Sequence, residues 1–149
     1  PMLAHKAMDE GVVLIEKLAG EHPVVDYNLI PGVVYTHPEV ASIGATEEQL
    51  KEQETPYKVG RFPFMASGRA RAMDNVDGFV KVLANPESGK LLGVHIIGPY
   101  ASELISEAVT IMAFDGSIED IALTMHAHPT LSEAFKEAAL GAFGKAVHA

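Results

Sequence analysis

Gly78 to Ile97 reads GFVKVLANPESGKLLGVHII. Two runs rich in Val, Ile, Leu and Phe flank Asn85-Pro86-Glu87-Ser88-Gly89, a turn punctuated by proline and glycine. The pattern predicts a β-hairpin, with strands over Gly78 to Ala84 and Lys90 to Ile97. A tight turn joins antiparallel strands, whereas parallel ones need a long crossover. This stretch therefore sets the sheet type for the chain.

Downstream the character changes. Ala101 to Ala113 predicts an amphipathic helix with Leu104, Ile105, Ala108, Ile111 and Met112 on its apolar face. Ile118 to Leu123 and Leu131 to Phe143 predict two more helices. Upstream, Tyr57 to Phe64 has strand character, and Ala66 to Met73 (ASGRARAM) reads as a small, basic loop. Ala45 to Glu54 predicts a polar-faced helix, with Thr46 as N-cap and Gln49 three residues on. Val33 to Thr36 and Val40 to Gly44 predict short strands on either side of Pro38, which cannot sit inside a central ladder. His22 to Gly32 is a connector containing Pro23 and Pro31. Before it, Met2 to Leu18 predicts a helix with Leu3, Ala7, Val12, Ile15 and Leu18 near helical spacing, stopped by Gly20. Strands gather before helices do, so the fold class is α+β: an antiparallel sheet with flanking helices.

The 149 residues suffice for one domain with a real core, and a 48% hydrophobic composition argues against disorder. No apolar run approaches the roughly 18–20 residues of a membrane helix. PMLAHKAMDEG has neither the basic head nor the apolar stretch of a signal peptide. The chain begins with Pro1, which suggests a piece of something longer. A net charge of −9 disfavours nucleic acid and suits a basic protein partner, although acids also simply keep a protein soluble. There is no cysteine, hence no disulfide, thiol nucleophile or thiolate metal site within this chain.

The chemistry concentrates in HAHPTLSEAFKEAAL, His126 to Leu140. Three readings compete. Thr130-Leu131-Ser132-Glu133 fits a capping box, which needs no catalysis to explain Glu133. His126, His128 and Glu133 are acceptable zinc ligands, with His37 and His95 as further candidates, which would make a small metal-dependent hydrolase. An extended His-Ala-His would point both rings to one side, and Pro129 pushes His128 into that region. One ring would then meet Glu133 as an acid–base pair, the carboxylate fixing the tautomer. The first and third readings are compatible, because one carboxylate oxygen can take the backbone and the other the ring.

HAHPTLSEAFKEAAL, with AFGKAV behind it, resembles the C-terminal end of the dihydrolipoamide dehydrogenase family of flavoprotein disulfide oxidoreductases. PMLAHKA, YTHPEVASIG, YKVGRFPF, SGRARAM, GFVKVL, LLGVHIIGP and SIEDIALTMHAHPTLSE follow the family's order along essentially the whole chain. The HPT core is shared with glutathione reductase and its relatives; HAHPTLSEAF is similar to the lipoamide branch. The resemblance implies an α+β interface domain over residues 21–149, with residues 1–20 a helix from the end of the FAD-binding region. It implies that His128 is the catalytic base and Glu133 the carboxylate that orients it, acting on the other subunit of a homodimer. It also implies that His128 and Pro129 lie against the partner's flavin, and Met2, Leu3 and Ala4 near the flavin of their own subunit. FAD and NAD are the implied cofactors of the parent, and no metal is implied. The implied partner is the basic subunit-binding module of the acyltransferase in 2-oxoacid dehydrogenase complexes, with Glu119 and Asp120 as candidate contacts unless they merely charge a helix start capped by Ser117. The implied compartment is a bacterial cytoplasm or a mitochondrial matrix.

The departures from the family pattern decide what this chain does alone. The redox disulfide needs two cysteines, and the two dinucleotide folds need glycine-rich fingerprints; neither is present. The expectation is a fragment without activity of its own. The alternatives are the interface domain of a related flavoprotein disulfide reductase, or a dimerisation and docking module without chemistry. A two-fold dimer would cover the apolar faces of the Leu104 to Met112 and Leu131 to Phe143 helices, which a small sheet covers only in part.

Overall fold

The computed structural model describes residues 1–148. Helix α1 (Ala4–Leu18) comes first and ends where Gly20 takes a φ of +94°, a conformation that suits glycine. A 3-10 turn (Tyr27–Leu29) leads into β1 (Gly32–Val34) and β2 (Glu39–Gly44). Helix α2 (Glu47–Glu52) opens with the expected capping box between Thr46 and Gln49. Next come β3 (Lys58–Pro63), a 3-10 turn (Phe64–Ala66) and α3 (Gly68–Ala72). The hairpin of β4 (Phe79–Ala84) and β5 (Leu91–Gly98) follows, then α4 (Ala101–Ala113), α5 (Ile118–Leu123) and α6 (Glu133–Ala142).

The five strands form one sheet in the order β1-β2-β5-β4-β3, every pair antiparallel. The hairpin thus builds the middle of the sheet, as its sequence pattern anticipates. Alternation sends Ala41, Ile43, Phe62, Val80, Val82, Val94 and Ile96 into one core. Helix α4 packs on β2 and β5, α6 on β3 and β4, and α5 on α6.

The seating of α6 depends on small residues. A Cβ at Gly60 of β3 would lie 2.7 Å from the Ala142 nitrogen and closer still to the Ala138 carbonyl oxygen. The helix therefore rests on the strand backbone to backbone, with Ala134, Ala138 and Ala139 fully buried beneath it. This contact sets the height of the whole helix, including its first residue, Glu133.

Four expectations change. ASGRARAM is not a loop: Ser67 caps α3 by accepting from the Ala70 N–H at 3.3 Å, and Ala70 is buried. Small residues that look like loop in sequence are what close packing selects. The first strand stops at Val34, and α6 starts at Glu133 rather than Leu131, because Thr130 spends its hydroxyl on the Ala127 carbonyl instead of capping. Finally, α4 and α6 find most of their cover inside the domain: Ile105, Ala108, Phe135 and Ala138 are buried, and Leu104, Ile111 and Met112 pack partly against the core. The uncovered apolar face belongs to α1, of which no residue is buried; Val12, Ile15 and Leu18 are 57%, 65% and 76% exposed. Polar ties hold α1 in place: His5 to the Pro31 carbonyl at 2.9 Å, and Tyr27 donating to Glu10 at 2.9 Å.

Gly60→Ala should push α6 off β3. Denaturant unfolding should show a loss of about 1–3 kcal/mol, the usual range for overpacking, while the same change at Gly11, where nothing lies within 4 Å, should not destabilise.

Candidate functional site

Between α5 and α6 the chain runs from Thr124 to Ser132 without regular structure. It bends at His128 and Pro129, and both the His128–Pro129 and His37–Pro38 bonds are cis. The bend overturns the expectation that both histidines face one side. His126 turns inward and His128 outward, with side chains 6% and 78% exposed.

His128 Nδ1 lies 2.9 Å from Glu133 Oε1, and the Thr130 N–H donates to Glu133 Oε2 at 2.8 Å. One carboxylate is thus shared between ring and backbone. The reciprocal half of the capping box is missing, since the Thr130 hydroxyl contacts Ala127 O and Ser132 Oγ. Burial is the largest influence on the Glu133 carboxyl and opposes its charge, but the Thr130 N–H and the His128 ring outweigh it and hold the group below its ordinary value. An ionised carboxylate only accepts, so His128 carries its proton on Nδ1 and leaves Nε2 free to act as a base.

Two further imidazole–carboxylate pairs lie close by. His126 Nε2 is 2.7 Å from Glu107 Oε1 on α4. His148 Nδ1 is 2.8 Å from Glu137 Oε1, while the backbone N–H groups of Val147 and His148 both donate to Glu137 Oε2. Glu137 is buried, which works against its charge, yet the His148 ring and the two N–H groups bring its carboxyl below the ordinary value. Glu137 lies one turn beyond Glu133 and ties the C-terminal segment to α6. Sequence reasoning misses both pairs, because nineteen and eleven residues separate the partners. The one available signal is a glutamate among the small residues of α6.

A cleft of about 630 Å³ beside these groups is lined by Arg71, Met125, His128, Glu133, Lys136 and His148 among others. The other candidate residues lie elsewhere. Leu3, together with Pro1, borders a separate cleft of about 920 Å³ near Asp26 and Lys90. Met2 is fully exposed, and Ala4 opens α1. No side chain caps α1 and its first turn holds no acid, so its leading N–H groups suit an anionic or electron-rich group. The metal reading loses its geometry: the rings of His126 and His128 meet different carboxylates, and His95 bonds the Ala45 carbonyl at 3.0 Å. Among the described residues no three His, Asp or Glu side chains converge on a metal position. Asp120 accepts from the Ser117 N–H at 2.8 Å within the capping box of α5, and Glu119 reaches over Gly89.

The family model described as pyridine nucleotide-disulphide oxidoreductase, dimerisation domain, matches residues 30–139. Dihydrolipoyl dehydrogenase 1, mitochondrial, of Arabidopsis thaliana is 60% identical over 148 residues, which are 99% of this chain and 29% of that protein. The mitochondrial dihydrolipoyl dehydrogenase of Caenorhabditis elegans is 55% identical over 149 residues, 99% of this chain and 30% of its own length. Leghemoglobin reductase of Glycine max is 57% identical over 145 residues, 97% of this chain and 28% of its own. The chain therefore spans less than a third of each of these relatives. Among solved structures, LpdA of Mycobacterium tuberculosis superposes with a TM-score of 0.86 at 25% identity, over 92% of this chain and 30% of that one. RclA of Escherichia coli, a flavoprotein disulfide reductase, gives 0.86 at 23% identity over 92% and 32%, a likeness of fold.

The depressed carboxyls give the acid limb of stability a sign. A group whose folded pKa lies below its unfolded one contributes stability above the ordinary value of 4.5, and loses it as pH falls through the folded value. Glu137→Gln should cost about 1–3 kcal/mol at pH 7, the range for unmaking buried hydrogen bonds. Chemical unfolding at a series of pH values should also show a shallower decline below pH 4.5 than in the unchanged chain.

Proposed function

The chain belongs to the pyridine nucleotide-disulphide oxidoreductase dimerisation-domain family, and from that premise we propose that its parent is a dihydrolipoamide dehydrogenase whose acid–base dyad is His128 and Glu133. The observation that carries this reading is the shared carboxylate, 2.9 Å from the His128 ring and 2.8 Å from the Thr130 nitrogen. A carboxylate anchored at both oxygens holds the imidazole in one tautomer and one orientation, as a general base near neutral pH requires. Nε2 takes the proton of a dihydrolipoamide thiol at the active site of the other subunit. The sulfur keeps the electron pair and attacks one sulfur of the redox disulfide, whose other sulfur leaves as thiolate. That disulfide lies outside this chain, which has no cysteine.

When bound in the parent, FAD and NAD carry away the two electrons of the dithiol. Helix α1 starts at Ala4 rather than Met2, and its uncapped, acid-free start at Leu3 and Ala4, with Met2 just before it, fits the electron-rich edge of the flavin of the same subunit. His128 and Pro129 lie against the flavin of the partner. Residues 1–20 then belong with the FAD-binding region and residues 21–149 form the interface domain. Two observations support that division: α1 buries no residue here, and the family match begins at residue 30.

The parent is a homodimer, as the dimerisation-domain family implies. Of the two compartments open to the sequence, bacterial cytoplasm and mitochondrial matrix, the relatives' names favour the mitochondrial one. In the docking of a basic subunit-binding module, Glu119 is the better acidic contact, because the Asp120 carboxylate already caps its own helix. A related reductase is the second reading, favoured by the 57% identity to a protein named leghemoglobin reductase.

On this reading the chain alone shows no lipoamide-dependent turnover. Supplied with separately made FAD- and NAD-binding domains, it should restore NADH formation from dihydrolipoamide. His128→Gln should lower the restored rate by about 10²–10⁴-fold, the span general acid–base catalysis covers. Turnover unchanged by that substitution would remove the base assignment. Glu133→Gln should lower the rate less and displace its pH profile, since the amide offers one acceptor oxygen where the carboxylate offered two and removes the charge beside the ring.

A further inference from the structure

The pair formed by His126 and Glu107 has no part in the chemistry just described. Its ring is 6% exposed, with Nε2 2.7 Å from Glu107 Oε1 and Nδ1 3.1 Å from the Thr124 carbonyl oxygen. Each ring nitrogen faces an oxygen acceptor, and the nitrogen that carries the proton donates to its own, which restricts the ring's orientation. Glu107 stands on α4, a different element from the two that flank the loop. We propose that Glu107 and His126 form a positioning pair that pins the His128 loop to α4 and fixes where the base stands.

The two members of the dyad rest on different supports. Glu133 stands on α6, which β3 holds at Gly60. His128 stands on an irregular segment, mostly exposed, and among the described residues its ring hydrogen-bonds only Glu133. A 2.9 Å contact between them persists only if the segment is held as firmly as the helix. Its other ties run within itself or to the two flanking helices: the Thr130 N–H donates to Glu133 at 2.8 Å, Lys136 donates to the Thr124 carbonyl at 2.8 Å, the Thr124 N–H and hydroxyl donate to the Asp120 carbonyl at 3.0 and 2.7 Å, and the Thr130 hydroxyl donates to the Ala127 carbonyl at 2.6 Å. Among the described residues, His126 to Glu107 is the one hydrogen bond that joins this segment to α4.

The chemistry of the pair supports the same role. Burying an imidazole against a carboxylate costs desolvation that an apolar side chain of similar volume avoids. An apolar filler would slide and rotate, whereas a ring paired with a carboxylate sets distance and angle together. The neighbouring residues show the result: Met125 is 92% exposed, the His126 side chain is buried, and His128 faces out again. The pair is a directional peg two residues before the base. This assignment deepens, and rests on, the reading of His128 as the base.

The test uses the 149-residue chain, which has its own core, and side-chain and backbone NMR rather than turnover. In Glu107→Ala the Nδ1 proton resonance of His128 and its contact to Glu133 should be lost. Backbone order parameters at Ala127 and His128 should drop below about 0.6, the flexible range. Glu107→Gln keeps an acceptor oxygen in place and should restore both. Unchanged His128 signals in a folded Glu107→Ala chain would overturn the proposal. Should that variant not fold, His126→Phe fills the same volume without the hydrogen bonds, and retention of the His128 signature there would overturn it equally. No turnover is read, so failure here rejects the positioning pair and leaves the base itself to the His128→Gln assay.

Discussion

Helix α6 lies on strand β3 with nothing but backbone between them at Gly60, and most of the molecule's chemistry hangs from that contact. The helix comes close only because Gly60 has no side chain and because Ala134, Ala138 and Ala139 are small enough to disappear beneath it. Its start is thereby fixed against the central sheet, and with it Glu133. One turn on, Glu137 faces the C-terminal segment from the same rigid body. The sheet is in this sense the reference frame of the site: hairpin, edge strand, helix, carboxylate, imidazole, each seated on the one before.

Around that frame the chain repeats one device three times. An imidazole meets a carboxylate at His128–Glu133, His126–Glu107 and His148–Glu137. The three differ in exposure and in what the carboxylate also holds. Glu133 shares itself with a backbone N–H at the mouth of the helix and leaves its histidine open to approach. Glu137 is buried and ties down two backbone N–H groups of the tail. Glu107 holds a ring that is itself buried. The same pair of side chains thus leaves one ring open to solvent, ties a tail to its helix and encloses a third ring, and burial distinguishes the three.

Helix α1 stands apart. It buries nothing and leaves Val12, Ile15 and Leu18 open. Its ties to the rest are polar and peripheral. An apolar face of this kind marks a site for cover by another surface. The α4 and α6 faces find most of their cover at home, with Leu104, Ile111, Met112 and Phe143 left half-buried.

Much of this was legible residue by residue. The hairpin was legible because its turn chemistry and its period-2 alternation are local. The bounds of α4 were legible from helical periodicity and those of α5 from its Ser117 cap, because both signals lie within a turn or two. The shared carboxylate of Glu133 was also legible, because five residues separate it from His128 and the geometry of a helix start leaves few alternatives. The α3 helix was not, because Gly68, Ala70 and Ala72 have weak local preferences and it is packing around Ala70 that settles them. The opposite facing of His126 and His128 was hidden as well, since an extended reading of three residues cannot foresee a bend at the third. Sequence by itself determined the antiparallel sheet, the order of strands and helices, and the family motif, because each rests on contacts between near neighbours. Only the tertiary structure decided which helix lacks cover, how close α6 comes to β3, and which carboxylate each histidine meets. Those depend on groups distant in the chain, brought together by a core whose shape no local window contains.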